Sequence, residues 1–281
     1  MGGWIMKGIK KILGLGLALT LSLGMVACSS SGKDKEEVGD KLQQIKDSGK
    51  LVLATSADYS PYEFHAMVDG KDTIVGFDVS IAKAIADEIG VELEVMDMDF
   101  DGLLGALNAD KADIVLACMT PDEERVKNAD FSELYYEDKN VVIVRKDEED
   151  KIKSDEDLKN INVGVQRGST QEGFVVDTLG STNYKSLTKI PDLMLELQNG
   201  NIDAIVTGKN VAAINVQNYD NVAIGNSNVG ENCEESGAVA LKKSDSNDSL
   251  VELINKVIKK LQDEGKVDEY MQEAIKLADE Q

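Results

Sequence analysis

Leu107-Asn-Ala-Asp-Lys-Ala-Asp113-Ile-Val-Leu-Ala117 can be laid over Leu197-Gln-Asn-Gly-Asn-Ile-Asp203-Ala-Ile-Val-Thr207, residue on residue. Each stretch reads as the end of a helix, a turn, and then the apolar run of a buried strand. Residues 51–55 and 161–166 form a second such pair, each a strand that leads into a turn bearing Gly, Ser or Thr. Because the elements recur in the same order, the chain is expected to be an α/β protein of two similar lobes, each with a mainly parallel sheet. Ligands of such sheets lie outside the carboxyl ends of the strands. Two lobes place those ends on either side of a cleft.

Outward from these stretches the pattern holds. Leu51-Val-Leu-Ala54 is a short apolar run, as in a buried strand. Ile81, Ile85 and Ile89 recur at helical spacing with Ala82 and Ala86 beside them. Asp78 is positioned to cap that helix and Gly90 to close it. Val91, Leu93 and Val95 alternate with Glu92 and Glu94, a strand signature. Near the end, Leu250, Val251, Ile254, Val257, Ile258 and Leu261 predict helices that return to the first lobe.

The 281 residues carry 52 acids against 30 bases, a net charge of −22, and are 42% hydrophobic. So apolar a chain buries a sizeable core, while its charge disfavours nucleic acid and anionic lipid as partners. Cysteines at 28, 118 and 233 are too few for a disulfide framework, and one histidine cannot build a histidine-rich metal site. No cofactor and no metal are expected.

Lys7, Lys10 and Lys11 precede 16 uncharged residues, 12–27. That run is shorter than the roughly 20 residues of a spanning helix and reads as a signal peptide. It ends in Met25-Val-Ala-Cys28-Ser-Ser-Ser-Gly32, which resembles a bacterial lipobox with an unusual residue at Met25. Cleavage before Cys28 leaves 27 bases against 52 acids, a mature charge of −25. The expected organisation is a signal peptide 1–27, a lipidated tether 28–47, a first lobe 48–138 and 236–281, and a second lobe 139–235.

Two turns carry candidate chemistry. Ala117 and Cys118 lead into Thr120-Pro-Asp-Glu123, which has the form of a helix N-cap and capping box, with Arg125 one turn inside. Gln166-Arg-Gly-Ser169-Thr170-Gln171-Glu172 offers Ser169 and Glu172 as a second capping box, with Gly168 allowing close backbone approach. Two capped helix N-termini with Arg125 would hold a carboxylate. Tyr59 and Phe100 are candidate walls for a side chain or cation.

The order Ser56-Ala-Asp-Tyr-Ser-Pro-Tyr-Glu-Phe64, Val75-Gly-Phe-Asp-Val79, Asp99-Phe-Asp-Gly-Leu103, Met119-Thr-Pro121 with Arg125, Asp130-Phe-Ser132 with Tyr135-Tyr136, and Val163-Gly-Val-Gln166 with Gly168-Ser-Thr-Gln171 resembles the polar amino-acid-binding proteins of ABC importers. The resemblance covers residues 48–280. It implies the type II periplasmic-binding-protein fold, two lobes on a two-strand hinge that close on a ligand. In Gram-positive members a lipid anchor on the outer membrane face replaces the periplasm. It also implies a permease and an ATPase as partners, a monomeric chain and no catalysis.

Matched position by position, Arg125 falls on the arginine that grips the ligand carboxylate, helped by Thr120 and Thr170. Ala117 and Cys118 fall on main chain that faces the ligand amino group, and Tyr59 and Phe100 on aromatic walls. Ser169, Arg167 and Gln171 are second-lobe contacts. Two positions depart from the pattern, because many relatives carry acids where Ser56 and Gly208 stand. A buried ammonium needs a partner, so Asp58, Glu63 or carbonyls are expected to replace them, unless the ligand is not an ordinary amino acid. Lys209 beside Gly208 would favour a further negative group.

Two other readings use the same residues. Some cyclic-acid dehydratases share the fold, and His65 or Glu172 would then be the acid. A surface ligand sensor would need no permease. His65 is expected to be a hydrogen-bonding residue beside the cleft, and Cys118 and Cys233 to be thiols.

Overall fold

Three parallel strands followed by one antiparallel strand occur twice in this molecule, and the two antiparallel strands pair with each other. The computed structural model describes residues 39–226, 229 and 233–280. The expected signal peptide, Cys28 and most of the tether lie outside these residues. The strands are β1 Lys50–Thr55, β2 Asp58–Tyr59, β3 Glu63–Val68, β4 Lys71–Val75, β5 Glu92–Asp97, β6 Ile114–Val115, β7 Ala129–Arg145, β8 Val163–Gln166, β9 Tyr184–Leu187, β10 Ala204–Gly208, β11 Val222–Ile224 and β12 Glu234–Lys242. The helices are α1 Lys41–Ser48, α2 Phe77–Ile89, α3 Leu103–Asn108, α4 Arg125–Asn128, α5 Asp155–Leu158, α6 Thr170–Gly173, α7 Ile190–Gln198, α8 Lys209–Asn218, α9 Asp248–Asp263 and α10 Lys266–Asp279.

The nine-stranded sheet runs β5-β1-β6-β12-β7-β10-β8-β9, with β11 on β7. On one side β5, β1 and β6 are parallel and β12 is antiparallel to β6. On the other side β9, β8 and β10 are parallel and β7 is antiparallel to β10. β7 pairs with β12 from Ala129 to Lys139 and with β10 from Asn140 to Val144, so one strand belongs to both halves.

The two stretches that match in sequence do the same work in each half. After α3 the chain turns through Asp110 at φ 55°, and after α7 through Gly200 at φ 74°. Asp113 Oδ2 accepts from the Val52 N–H at 2.8 Å, and Asp203 Oδ2 from the Asn162 N–H at 2.9 Å. Each aspartate thus fastens its strand's start to the neighbouring strand.

Helix α2 buries Ile81 and Ile85 completely, and each such side chain contributes about 1.5–3 kcal/mol by leaving water. α9 buries Leu250, Ile254, Val257, Ile258 and Leu261 against the same core. The expected tether ends sooner than its composition implied. α1 is capped by Asp40, closed by Gly49 and buries Ile45, so order begins before Leu51. Two apolar residues, Leu42 and Ile45, in eight set too short a period to mark the helix. Among the described residues no helix is long and apolar enough to cross a membrane.

Candidate ligand-binding site

At the carboxyl end of β6 the chain passes through Leu116 and Ala117 to Cys118, whose φ of 42° is unusual for a residue with a side chain. Asp78 holds that bend, since its Oδ2 accepts from the Cys118 N–H at 2.6 Å and the Tyr135 hydroxyl at 2.7 Å. The expected cap at Asp78 is therefore corrected. Gly76, where a Cβ would meet Tyr62 O at 2.3 Å, takes the N-cap position, so α2 starts two residues earlier and Asp78 is free for Cys118. Full burial raises the Asp78 carboxyl to about 7 against the pull of its two donors.

The helix expected to begin at Pro121 is not there. Thr120 Oγ1 instead binds β12, donating to Ser236 O at 3.1 Å and accepting from the Ser236 N–H at 3.0 Å. Asp122 Oδ1 takes the free amides of Glu124 and Arg125, and α4 starts only at Arg125. A hydroxyl spent on a strand cannot also cap a helix, so the first of the two expected N-termini is lost.

Arg125 is 9% exposed and aims its guanidinium across the two halves. Nη1 donates to Thr120 O at 2.8 Å and Nη2 to Gly168 O at 2.8 Å, while Nε lies 3.4 Å from Asp122 Oδ2. The Phe100 ring covers it at 5.4 Å. Burial lowers its pKa and Asp122 and Glu124 raise it, leaving an arginine that stays charged.

In the second half, Ser169 caps α6 by accepting from the Glu172 N–H. The Glu172 carboxylate reaches the Gly168 N–H at 2.6 Å, one residue before the expected reciprocal partner. Gly168 has φ 74°, and its Cβ would stand 3.1 Å from Asp101 Cβ, so only glycine fits between the halves here. Gln171 donates to Asn140 Oδ1 at 2.7 Å and to Glu235 Oε2 at 2.9 Å.

These groups surround one small cavity. Tyr59, Phe100, Ala117, Cys118, Thr120 and Arg125 line it from one half and Ser169, Thr170 and Gln171 from the other, joined by Gln166 and Glu235. Ser56 and Gly208 do not line it. The Ser56 hydroxyl donates to Asp58 Oδ1, and Asp58 Oδ2 accepts from the Ile190 N–H at the start of α7. Gly208 lies behind the Glu235 carboxyl. Tyr59 stacks on Tyr62 at 5.7 Å and donates its hydroxyl to Glu235 Oε1 at 2.8 Å.

The acids expected to replace the missing partners are elsewhere. Asp58 is spent on Ser56 and α7. Glu63 is wholly buried with neither oxygen hydrogen-bonded, and burial with Asp78 nearby pushes its carboxyl well above the ordinary range. His65 is exposed on β3, with Nδ1 3.0 Å from Asp72 and Nε2 3.5 Å from Asp97, and lines no part of the cavity. Arg167 and Lys209 are exposed and also lie off the lining. Cys118 and Cys233 are buried and form no disulfide.

The acid actually present is Glu235 on β12, 4% exposed. Burial raises it to about 8, opposed by Tyr59 and assisted by Asp138. Sequence reasoning missed it. Its signal is the period-two row Cys233, Glu235, Gly237, Val239 and Leu241, in which one acid stands among core-facing residues.

Two half-sheets that share crossing strands, with a polar cavity at the carboxyl ends of both, define a periplasmic-binding-protein fold of type II. The chain belongs to the bacterial extracellular solute-binding proteins, family 3, whose model matches residues 51–276. It is 36% identical over 262 residues to the arginine-binding extracellular protein ArtP of Bacillus subtilis, covering 92% of this chain and 96% of that protein. It is 31% identical over 264 residues to a probable histidine-binding protein of Neisseria gonorrhoeae, covering 92% and 93%. The crystal structure of the amino acid ABC transporter substrate-binding protein AbpA of Streptococcus pneumoniae bound to L-arginine superposes with a TM-score of 0.80. That pair is 39% identical, covering 85% of this chain and 100% of that one. The family binds solutes and is not one of enzymes, which removes the dehydratase reading.

Proposed function

We propose that this protein captures an amino acid between its two lobes and presents it to the permease of an ABC importer. The observation that carries the reading is Arg125, a buried guanidinium at the meeting of both halves whose forked donors rest on the Thr120 and Gly168 carbonyls. A ligand carboxylate is the natural exchange partner for those carbonyls, because charge-assisted bonds to arginine are roughly twice as strong as neutral ones. Thr120, Thr170 and Ser169 are placed to assist, with Tyr59 and Phe100 as walls. The relatives are named for arginine and histidine, so a cationic amino acid is the first ligand to try.

The arrangement described is the closed one. Arg125 to Gly168, Asp58 to Ile190 and the Tyr59 hydroxyl to the Gly208 N–H all join the halves. The cavity between them measures about 10 Å³, room for roughly one water-sized sphere. A ligand as large as an amino acid therefore enters only when the lobes part about β7 and β12, and its contacts then favour reclosure.

Titration calorimetry with L-arginine tests the site. Arg125→Ala should weaken binding roughly 10²- to 10³-fold while the circular dichroism spectrum is kept. Unchanged affinity would refute the site. A thermal-shift screen over the other amino acids then identifies the ligand, since a compound that binds only the folded state raises its melting temperature.

The location proposed is the outer face of the cell membrane, through lipid on Cys28. The mature N-terminal peptide should begin at a diacylglyceryl-modified Cys28 by mass spectrometry, and Cys28→Ser should release the protein into the medium. An unmodified, uncleaved N-terminus would end the anchor reading.

A further inference from the structure

We propose that Glu235, reaching from β12 into the space left by Gly208, is the counter-charge for the ligand's ammonium and so selects amino acids over acids that lack one. This rests on the amino-acid reading above. A Cβ on Gly208 would stand 2.4 Å from Glu235 Oε1 and 2.5 Å from Oε2, so the carboxyl group fills the place where a side chain at position 208 would begin. With Glu235 in this rotamer there is no room for a side chain at 208, so an acid there would have to displace the Glu235 carboxyl. Gly208 itself has φ −60° and ψ 146°, a conformation open to any residue, so the backbone does not require glycine there and the Glu235 carboxyl is what occupies the space.

The surroundings of Glu235 hold donors and no countercharge. Tyr59 gives its hydroxyl to Oε1, Gln171 its amide to Oε2, and Cys118 Sγ lies 3.8 Å from Oε1. Asp138 of β7 adds negative potential, and Tyr62 and Glu63 feel the same field. Among the described residues no lysine, arginine or histidine lies within 4.0 Å of this carboxylate; Arg125 faces the same cavity without pairing to it. An acid so placed is held protonated, and its carboxyl is raised to about 8. An arriving ammonium reverses the balance. The Glu235 O–H bond breaks, its proton passes to solvent, and the carboxylate left behind pairs with the positive nitrogen. Near neutral pH the protein thus exchanges a proton for a cation, without leaving a bare charge buried in the absence of ligand.

Calorimetry at pH 7 in buffers of different ionisation enthalpy reads this exchange, with L-arginine and its 2-hydroxy analogue as probes. Wild type should prefer L-arginine by roughly 30-fold or more and release most of one proton on binding it. Glu235→Gln should fold, lose most of that preference and release no proton. Glu235→Ala with Gly208→Asp, which returns an acid from β10, should regain the preference, whereas Glu235→Ala alone should not. A Glu235→Gln protein that keeps the wild-type preference within threefold would overturn the proposal while leaving the amino-acid reading intact. Wild type that binds no amino acid in the thermal-shift screen would overturn both.

Discussion

Asp78 and Glu235 are the two buried acids whose oxygens touch the ligand-facing chain, and both are held above their ordinary pKa by burial. Unfolded, they titrate near 4; folded, at about 7 and about 8. The stability they contribute is therefore fully present below about pH 4 and is lost as pH rises through 7 and 8, because the native state must then carry buried charge. Ligand-free protein should lose on the order of a few kcal/mol between pH 5.5 and 8.5, seen as a falling urea midpoint. Asp78→Asn should reduce the slope below pH 7 and leave that between 7 and 8, whereas Glu235→Gln should reduce the slope below 7 and remove that between 7 and 8. A midpoint flat across this range would contradict the assignment. At this scale the sequence was half legible. Arg125, Thr120 and Gln171 line the cavity, and they stood out because turn residues at strand ends are where such cavities form. Glu235 was not, because its partner in space is Gly208, and steric exclusion between distant residues leaves no local pattern.

At the scale of elements, the paired stretches around Asp113 and Asp203 were read from composition and recur as the same turn and the same aspartate-to-amide bond. The two turns carry different residues at the left-handed position. Gly200 sits at φ 74° with nothing near its absent Cβ, whereas Asp110 holds φ 55° with a side chain. Gly200→Ala should therefore cost about 1–2 kcal/mol through backbone conformation alone, measured by chemical denaturation. No loss would mean the turn relaxes into another form. Strands and long helices were legible from their periods, and α1 and α4 were not. Thr120-Pro-Asp-Glu has a capping sequence, yet pairing with Ser236 outcompetes the cap, since the hydroxyl satisfies both a donor and an acceptor of β12. A motif fixes what a residue can bond, and topology decides which partner reaches it first.

For the whole molecule, the acidity that stood out in composition lies mostly on the exterior, while the cavity joins one buried arginine to one buried glutamate. The net charge of −22 repels other anions at a distance, so a cationic or zwitterionic solute is favoured before it touches the site. The repeated half-sheets were legible as a class from the order of elements. Their junction runs through β7, which pairs with β12 as far as Lys139 and with β10 from Asn140.

The place of β12 has a consequence for how the chain is made. It lies between β6 and β7, yet it is followed only by the two closing helices, so both of those strands wait for a late segment. Until β12 emerges, the first half-sheet keeps an open edge and the loop that carries Arg125 lacks the strand that fastens Thr120. Contacts between distant parts of a chain form slowly, and an unfinished edge invites pairing with other chains. A nascent or truncated protein that ends before Glu234 is thus a species that chaperones or proteases should recognise, and the solute trap exists only once the last strand has been threaded between the first two.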